Sequence, residues 1–188
     1  MIQNWILLVK HDTPSLINTT RFLICSRYEK EFTIEFYQDK ACNLIWLRRF
    51  YSECGYSSQF SNADDVYYVS NNDVILGVVR ISKEYGVYIL RGMQVLPSMR
   101  GQKIGRQLLA YLELHLQHYP SKCFCLPHEY LTLFYSGIGF NIISDTLAPE
   151  FIRKRKEQYS LRGLKISLMV RDIRALLATR TRSTNNMR

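Results

Sequence analysis

Phe32-Thr33-Ile34-Glu35-Phe36-Tyr37 alternates apolar and polar side chains, the pattern of a strand with one buried face. Val66–Ser70 and Val74–Ile81 are two further apolar runs separated by Asn71-Asn72-Asp73, which predicts a hairpin. Ser82 to Gly86 turns the chain again, and Val87–Val95 is the next predicted strand. Gly92 inside that strand predicts a bulge or a close backbone approach. From Lys103 the period changes. Ile104, Leu108, Leu112 and Leu116 recur at four-residue spacing, with Leu109 beside them, as in an amphipathic helix that ends at Tyr119-Pro120. Cys123–Leu126 then reads as a short buried strand. It should run parallel to the strand before the helix, through a right-handed crossover.

The remaining segments fill in around this frame. A helix is predicted from about Lys40 to Cys54, capped by Asp39 and stopped by Gly55, with Leu44, Leu47, Phe50 and Tyr51 as its apolar stripe. Ser57 to Asp65 reads as a loop. His128–Tyr135 reads as a short helix ended by Gly137 and Gly139, and Phe140–Ile143 as a strand. Phe151–Tyr159 is a strongly basic helix, Leu164–Val170 a last strand, and Asp172–Ala178 a terminal helix. At the N-terminus, Trp5–Val9 and Phe22–Cys25 are apolar, with turn formers at His11–Ser15 and Asn18–Thr20 between them. The expected organisation is an α/β (α+β) fold. It has a strand extension at 1–30, one domain at 31–171 and a basic tail at 172–188, disordered over Thr179–Asn186.

Composition narrows the setting. The chain has 188 residues, 47% hydrophobic and 22% charged, enough for one sizeable core. No apolar run approaches the ~20 residues of a membrane span. Met1–Lys10 lacks the basic flank and cleavage site of a signal peptide, so a strand in a cytoplasmic protein is expected there. The five cysteines are odd in number and lie mostly in apolar segments, as reduced core thiols do. Cys123-x-Cys125 has the alternation of a strand face and not the gap of a zinc knuckle, so no metal site is expected. The net charge of +9 favours anionic partners: phosphate groups, nucleic acid or an acidic acceptor.

Met93 to Leu109 concentrates the chemistry. A strand runs through a basic turn into a helix N-terminus, whose first N–H groups and dipole attract anions. Arg100, Lys103 and Arg106 add full charges, so a phosphate or pyrophosphate is the expected guest.

Val95-x-Pro97-x-x-Arg100-Gly101-x-x-Ile104-Gly105-Arg106-x-Leu108-Leu109 resembles the acyl-CoA-binding motif of the GNAT superfamily of N-acyltransferases, commonly Arg/Gln-x-x-Gly-x-Gly/Ala after a strand ending in Val-x-Pro. It departs once, where the first motif glycine is Lys103; a lysine there can still offer its N–H if its φ is negative. Phe134-Tyr135-x-x-x-Gly139-Phe140 is similar to the family's second signature. The resemblance spans roughly residues 32–170. It implies a mixed, mostly antiparallel twisted sheet flanked by helices, with strands splayed at the CoA site. It implies acetyl-CoA as cosubstrate, held by Met93, Val95, Arg100, Gly101, Gln102, Lys103, Gly105 and Arg106. Tyr135 would protonate the departing thiolate; a phenol of pKa about 10 suits a thiol of about 8.5. The expected activity is transfer of an acetyl (acyl) group to an amine by direct attack. The acceptor is a small molecule or a protein, and a homodimer is compatible with the sequence. The predicted strand before the CoA loop carries no acid, so the base stays open among Glu84, His128, Glu129 and water. Two other classes remain: a GNAT-like protein that binds acyl-CoA without catalysis, and, ranked below it, a basic nucleic-acid-binding module using the 153–156 cluster and the tail.

Overall fold

The computed structural model describes residues 18–24, 32–57, 59–119 and 122–172. Its strands are β1 (Asn18–Ile24), β2 (Phe32–Lys40), β3 (Asp65–Asn71), β4 (Val74–Glu84), β5 (Val87–Val95), β6 (Cys123–Cys125), β7 (Asn141–Ile142) and β8 (Met169–Arg171). The helices are α1 (Leu47–Glu53), α2 (Ile104–Leu116), α3 (Thr132–Ser136) and α4 (Glu150–Leu161). The sheet order is β1-β2-β3-β4-β5-β6-β8-β7. Pairing is antiparallel for β1/β2, β2/β3, β6/β8 and β7/β8, and parallel for β5/β6. This is the mixed, mostly antiparallel α/β architecture expected from the sequence, with β6 parallel to β5 after the α2 crossover. No helix among the described residues is long and apolar enough to cross a membrane.

By compactness the chain divides into two units, 1–80 with 92–111, and 81–91 with 112–188. The first has a core of Ala41, Leu44, Leu47, Phe50, Tyr51, Val66, Tyr68 and Val78, with Trp46, Phe60 and Leu96 packed against it. The second is built on Phe124, Ala148, Ile152 and Leu168, with Val87, Leu126, Phe151 and Val170 around them. Both β-hairpins use two-residue turns with positive φ at each position: Asn72 (45°) and Asp73 (65°), then Tyr85 (47°) and Gly86 (82°). These are the turn conformations whose twist matches paired strands.

Several boundaries differ from expectation. The helix expected over 40–54 shrinks to α1, preceded by a 3-10 turn at Ala41–Asn43. The N–H groups that would have started it are used elsewhere: Ala41 donates to Asp64 O and Cys42 to Asn62 O. Asp39 is therefore not its cap, and its Oδ1 instead accepts from Lys40 N and Asn43 Nδ2, both at 2.7 Å. Gly55 does stop α1, at φ +66°, with its N–H on Ser52 O and that of Tyr56 on Tyr51 O. β4 continues through Ser82–Glu84, so the turn there is only Tyr85-Gly86. Asn18–Thr20, read as turn formers, lie in β1, which adds an edge strand to β2. The last strand shortens to β8. Residues 165–167 pair instead with the segment after β6, through Ser167 N to Pro127 O, Glu129 N to Lys165 O and the His128–Ile166 bridge. The helix expected over 128–135 begins as a 3-10 turn and becomes α3 only at Thr132, and the strand after it is reduced to β7. Trp5–Val9, Cys25, the helix expected at 172–178 apart from Asp172, and the tail lie outside the described residues.

Candidate acyl-CoA site

β5, the turn after it and α2 form one continuous piece, and every residue predicted to hold CoA lies on it. Pairing of β5 with β6 covers only Tyr88↔Cys123, Ile89↔Phe124 and Leu90↔Cys125. Two residues later Gly92 takes φ +62°, and of the bulge or close backbone approach expected there the close approach is found, an added Cβ lying 2.7 Å from Tyr51 Oη. Met93 and Val95 follow, half-buried. Leu96 N returns to Leu76 O at 2.9 Å, and Pro97–Met99 makes a 3-10 turn that ends at the extended Arg100.

The turn into α2 has two left-handed residues, Gly101 at φ +80° and Lys103 at φ +64°. The condition of a negative φ for Lys103 is not met, and the residue lies in the left-handed region that glycine adopts most readily. Its carbonyl accepts the first helix bond, from Gln107 N at 3.1 Å. The six N–H groups ahead of that bond, Gly101 through Arg106, have no backbone partner among the described residues. They stand at the positive end of a 13-residue helix whose apolar stripe, Ile104, Leu108, Leu109, Leu112 and Leu116, is buried as predicted. Arg100, Lys103 and Arg106 are exposed around them. Arg100 is steadied by an Nε bond to Val95 O at 3.2 Å, and Gln102 by one to Ser98 O at 3.3 Å.

Next to this piece lies a group that no motif in the sequence marks. Arg80 of β4 is fully buried and its Nη1 is 2.5 Å from Asp64 Oδ2. Its Nε donates to Tyr51 Oη at 2.9 Å, and Tyr51 donates in turn to Gly92 O at 2.9 Å. The guanidinium stacks on Tyr51 and Phe60, 5.3 and 5.2 Å from the ring centroids. Burial pushes the Tyr51 phenol far up, against the downward pull of Arg80. The only sign in the sequence was a cation within the apolar run Val74–Ile81.

Tyr135 belongs to the second unit. It is buried in α3, edge-on to Phe134 and Phe140 at 5.2 and 6.4 Å, and its carbonyl accepts from Ile138 N and Phe140 N. Of the three residues considered as a base, Glu84 is held by two guanidiniums: Arg91 at 2.5 Å and Arg155 at 2.6 Å. His128 stacks on Tyr130 at 5.3 Å, and Glu129 is exposed at the start of its 3-10 turn. In the basic α4, Lys154, Arg155 and Lys156 pair with Glu150, Glu84 and Asp145, and Arg153 is exposed. Cys123 and Cys125 are buried in β6, and desolvation raises both thiols, that of Cys123 to about 12, so neither is poised as a thiolate. Among the described residues no cluster of three His, Cys, Asp or Glu could hold a metal ion.

Residues 62–142 match the family model described as an acetyltransferase (GNAT) domain. No curated protein sequence matches the chain. Among solved structures, N-acetylglutamate synthase from Neisseria gonorrhoeae, complexed with coenzyme A and N-acetyl-glutamate, is similar at 15% identity. It covers 86% of this chain and only 36% of its own, with a TM-score of 0.52. Escherichia coli ElaA is 17% identical over 74% of this chain and 99% of its own, with a TM-score of 0.52. The ribosomal-protein-S18-alanine N-acetyltransferase from Escherichia coli is 13% identical over 74% of this chain and 94% of its own, also at 0.52. At these identities the structures speak for the fold. The matched stretch, which contains both sequence signatures, is thus similar to a GNAT acetyltransferase domain, and the solved structures share its fold.

Proposed function

We propose that the protein is an N-acetyltransferase that moves an acetyl group from acetyl-CoA to an amine by direct attack. One observation carries the reading: six successive N–H groups without backbone partners among the described residues, at a helix N-terminus ringed by Arg100, Lys103 and Arg106. Such an array suits a diphosphate, because each N–H and each cation meets a negative oxygen. The half of CoA that follows the diphosphate would run along β5. There Met93 and Val95 would supply backbone groups to the pantetheine arm, and one of their N–H groups would polarise the thioester carbonyl. Tyr135 would return a proton to the leaving thiolate, a role that rests on its place in the second signature and on its burial. Glu84 is already engaged in two ion pairs and is assigned a structural role. Residues 31–171 would act as the acyltransferase domain.

The test combines calorimetric titration with acetyl-CoA and a thiol-release assay over a panel of small amines and peptide N-termini. Tyr135→Phe should lower turnover by a factor of about 10² or more and leave acetyl-CoA affinity within about twofold. Equal turnover in the two proteins removes the acid role from Tyr135. A parent protein with no affinity for acetyl-CoA refutes the acyltransferase reading as a whole.

A further inference from the structure

We infer that Tyr51, Arg80 and Asp64 form a buried positioning device that sets the orientation of the Gly92–Met93 peptide, and through it the N–H that meets the thioester. The inference rests on the acyltransferase reading above and adds residues to it that neither signature contains.

The cluster is directional. Asp64 takes Nη1 of Arg80, and Arg80 Nε donates to Tyr51 Oη. A phenol has one proton, and with Oη already accepting from Arg80 that proton goes to Gly92 O, at 2.9 Å. Burial keeps the phenol protonated, so the donation is permanent. The Gly92 carbonyl is thereby fixed toward Tyr51. In a planar trans peptide the next N–H points opposite to that carbonyl. Holding Gly92 O therefore aims Met93 N–H away from the cluster, in a direction the kink alone would leave free.

The packing at Gly92 agrees. A Cβ added there would lie 2.7 Å from Tyr51 Oη and 3.0 Å from Arg80 Nε. The cluster fills the space a side chain would need, and φ +62° already disfavours one. The far end is anchored as firmly. Asp64 O accepts from Ala41 N at 2.9 Å, Asp64 N donates to Ser61 O at 3.1 Å, and Phe60 covers the guanidinium. A fully buried ion pair is a poor source of stability, because desolvation offsets most of its attraction. What this one supplies is a fixed direction for one backbone carbonyl.

Tyr51→Phe keeps the ring and removes only the hydroxyl. Amide NMR of ¹⁵N-labelled protein, titrated with acetyl-CoA, reads both halves of the site without an acceptor. In the parent protein, the Met93 signal and the 101–106 signals should all move on binding. In Tyr51→Phe the 101–106 signals should move as before, while the Met93 displacement should fall to less than about half. The paired replacement Asp64→Leu with Arg80→Met exchanges the ion pair for apolar side chains that a core tolerates. Combined with Tyr51→Phe it should give the same split, and it serves if Tyr51→Phe alone fails to fold beside an unpaired buried charge. An undiminished Met93 displacement in either folded variant overturns the inference and leaves the acyl-CoA site standing. No movement at 101–106 in the parent protein refutes the acyl-CoA site, and the inference falls with it.

Discussion

Lys103 offers a measurement that depends on conformation alone. It sits at φ +64°, where an L side chain crowds its own carbonyl at a cost of about 1–2 kcal/mol and glycine has no such penalty. Its side chain is exposed, and its backbone role is to accept from Gln107 N, which any residue can do. Lys103→Gly removes the crowding and adds about 0.4–1 kcal/mol of unfolded-state entropy, leaving a net gain of about 0.5–1 kcal/mol. For a chain of this length that is a midpoint rise of about 1–4 °C. Lys103→Ala keeps the crowding and loses the charge, and Lys103→Asn tolerates the left-handed region better than most. Thermal and urea denaturation should rank the variants glycine, then asparagine, then lysine and alanine together. If glycine is no more stable than alanine, the strain argument is wrong. Acetyl-CoA titration of the same proteins separates a second effect. Alanine and glycine both remove a cation at an exposed position, worth about 0.5–1 kcal/mol or about two- to fivefold in affinity at low salt. Any further gain of glycine over alanine measures how far the Cβ crowds the diphosphate.

Two other predictions concern groups away from the loop. Glu84→Gln takes the charge from a carboxylate bound by Arg91 and Arg155, each with about a quarter of its side chain exposed, and should cost about 1–2 kcal/mol in urea denaturation. Acetyl transfer should persist; a loss of turnover without a loss of stability would make Glu84 the base. Stability should also decline at alkaline pH. Cys123 titrates at about 12 in the fold against 9.0 for a free thiol, and Cys125 is raised likewise, because burial disfavours both thiolates. Below about pH 9 both states hold the protons and the contribution is constant. Above it the unfolded chain ionises first, so stability is lost until the pH reaches the folded pKa near 12. About 2 kcal/mol should go between about pH 9 and about pH 10, and a flat denaturation midpoint across that window contradicts the burial of β6.

What could be read in the chain beforehand was whatever its own neighbours decide. The helix stripe from Ile104 to Leu116, the hairpin at Asn72-Asp73 and the stop at Gly55 each follow from spacing or from a single turn residue, and each is found in place. The errors arise where a distant segment takes over a local backbone group. Asp39 looked like a cap, yet the N–H groups of Ala41 and Cys42 belong to the loop at 62–64. Leu164–Val170 looked like a strand throughout, yet 165–167 answer to Pro127–Glu129. The conformation of Lys103 could not be read from the chain at all. Its φ is imposed by the turn that starts α2, and an exposed side chain can bear that cost without leaving a pattern in the sequence.

Arg80 shows why the inner half of the candidate site was harder to see than the outer half. Binding a diphosphate uses consecutive residues, so Arg100 to Arg106 announce it as a motif. Orienting one peptide of β5 uses Tyr51 from α1, Asp64 from a loop and Arg80 from β4, which meet Gly92 only in the fold. Each reads alone as ordinary: an apolar-face tyrosine, a loop aspartate, a strand arginine. Gly92 was legible as a bulge or a close backbone approach because a glycine within a strand is a property of one residue. The direction in which its carbonyl is held is a property of four. Candidate sites built from contiguous backbone can therefore be proposed from a single chain, whereas a cluster such as Tyr51, Asp64 and Arg80 comes together only in the fold.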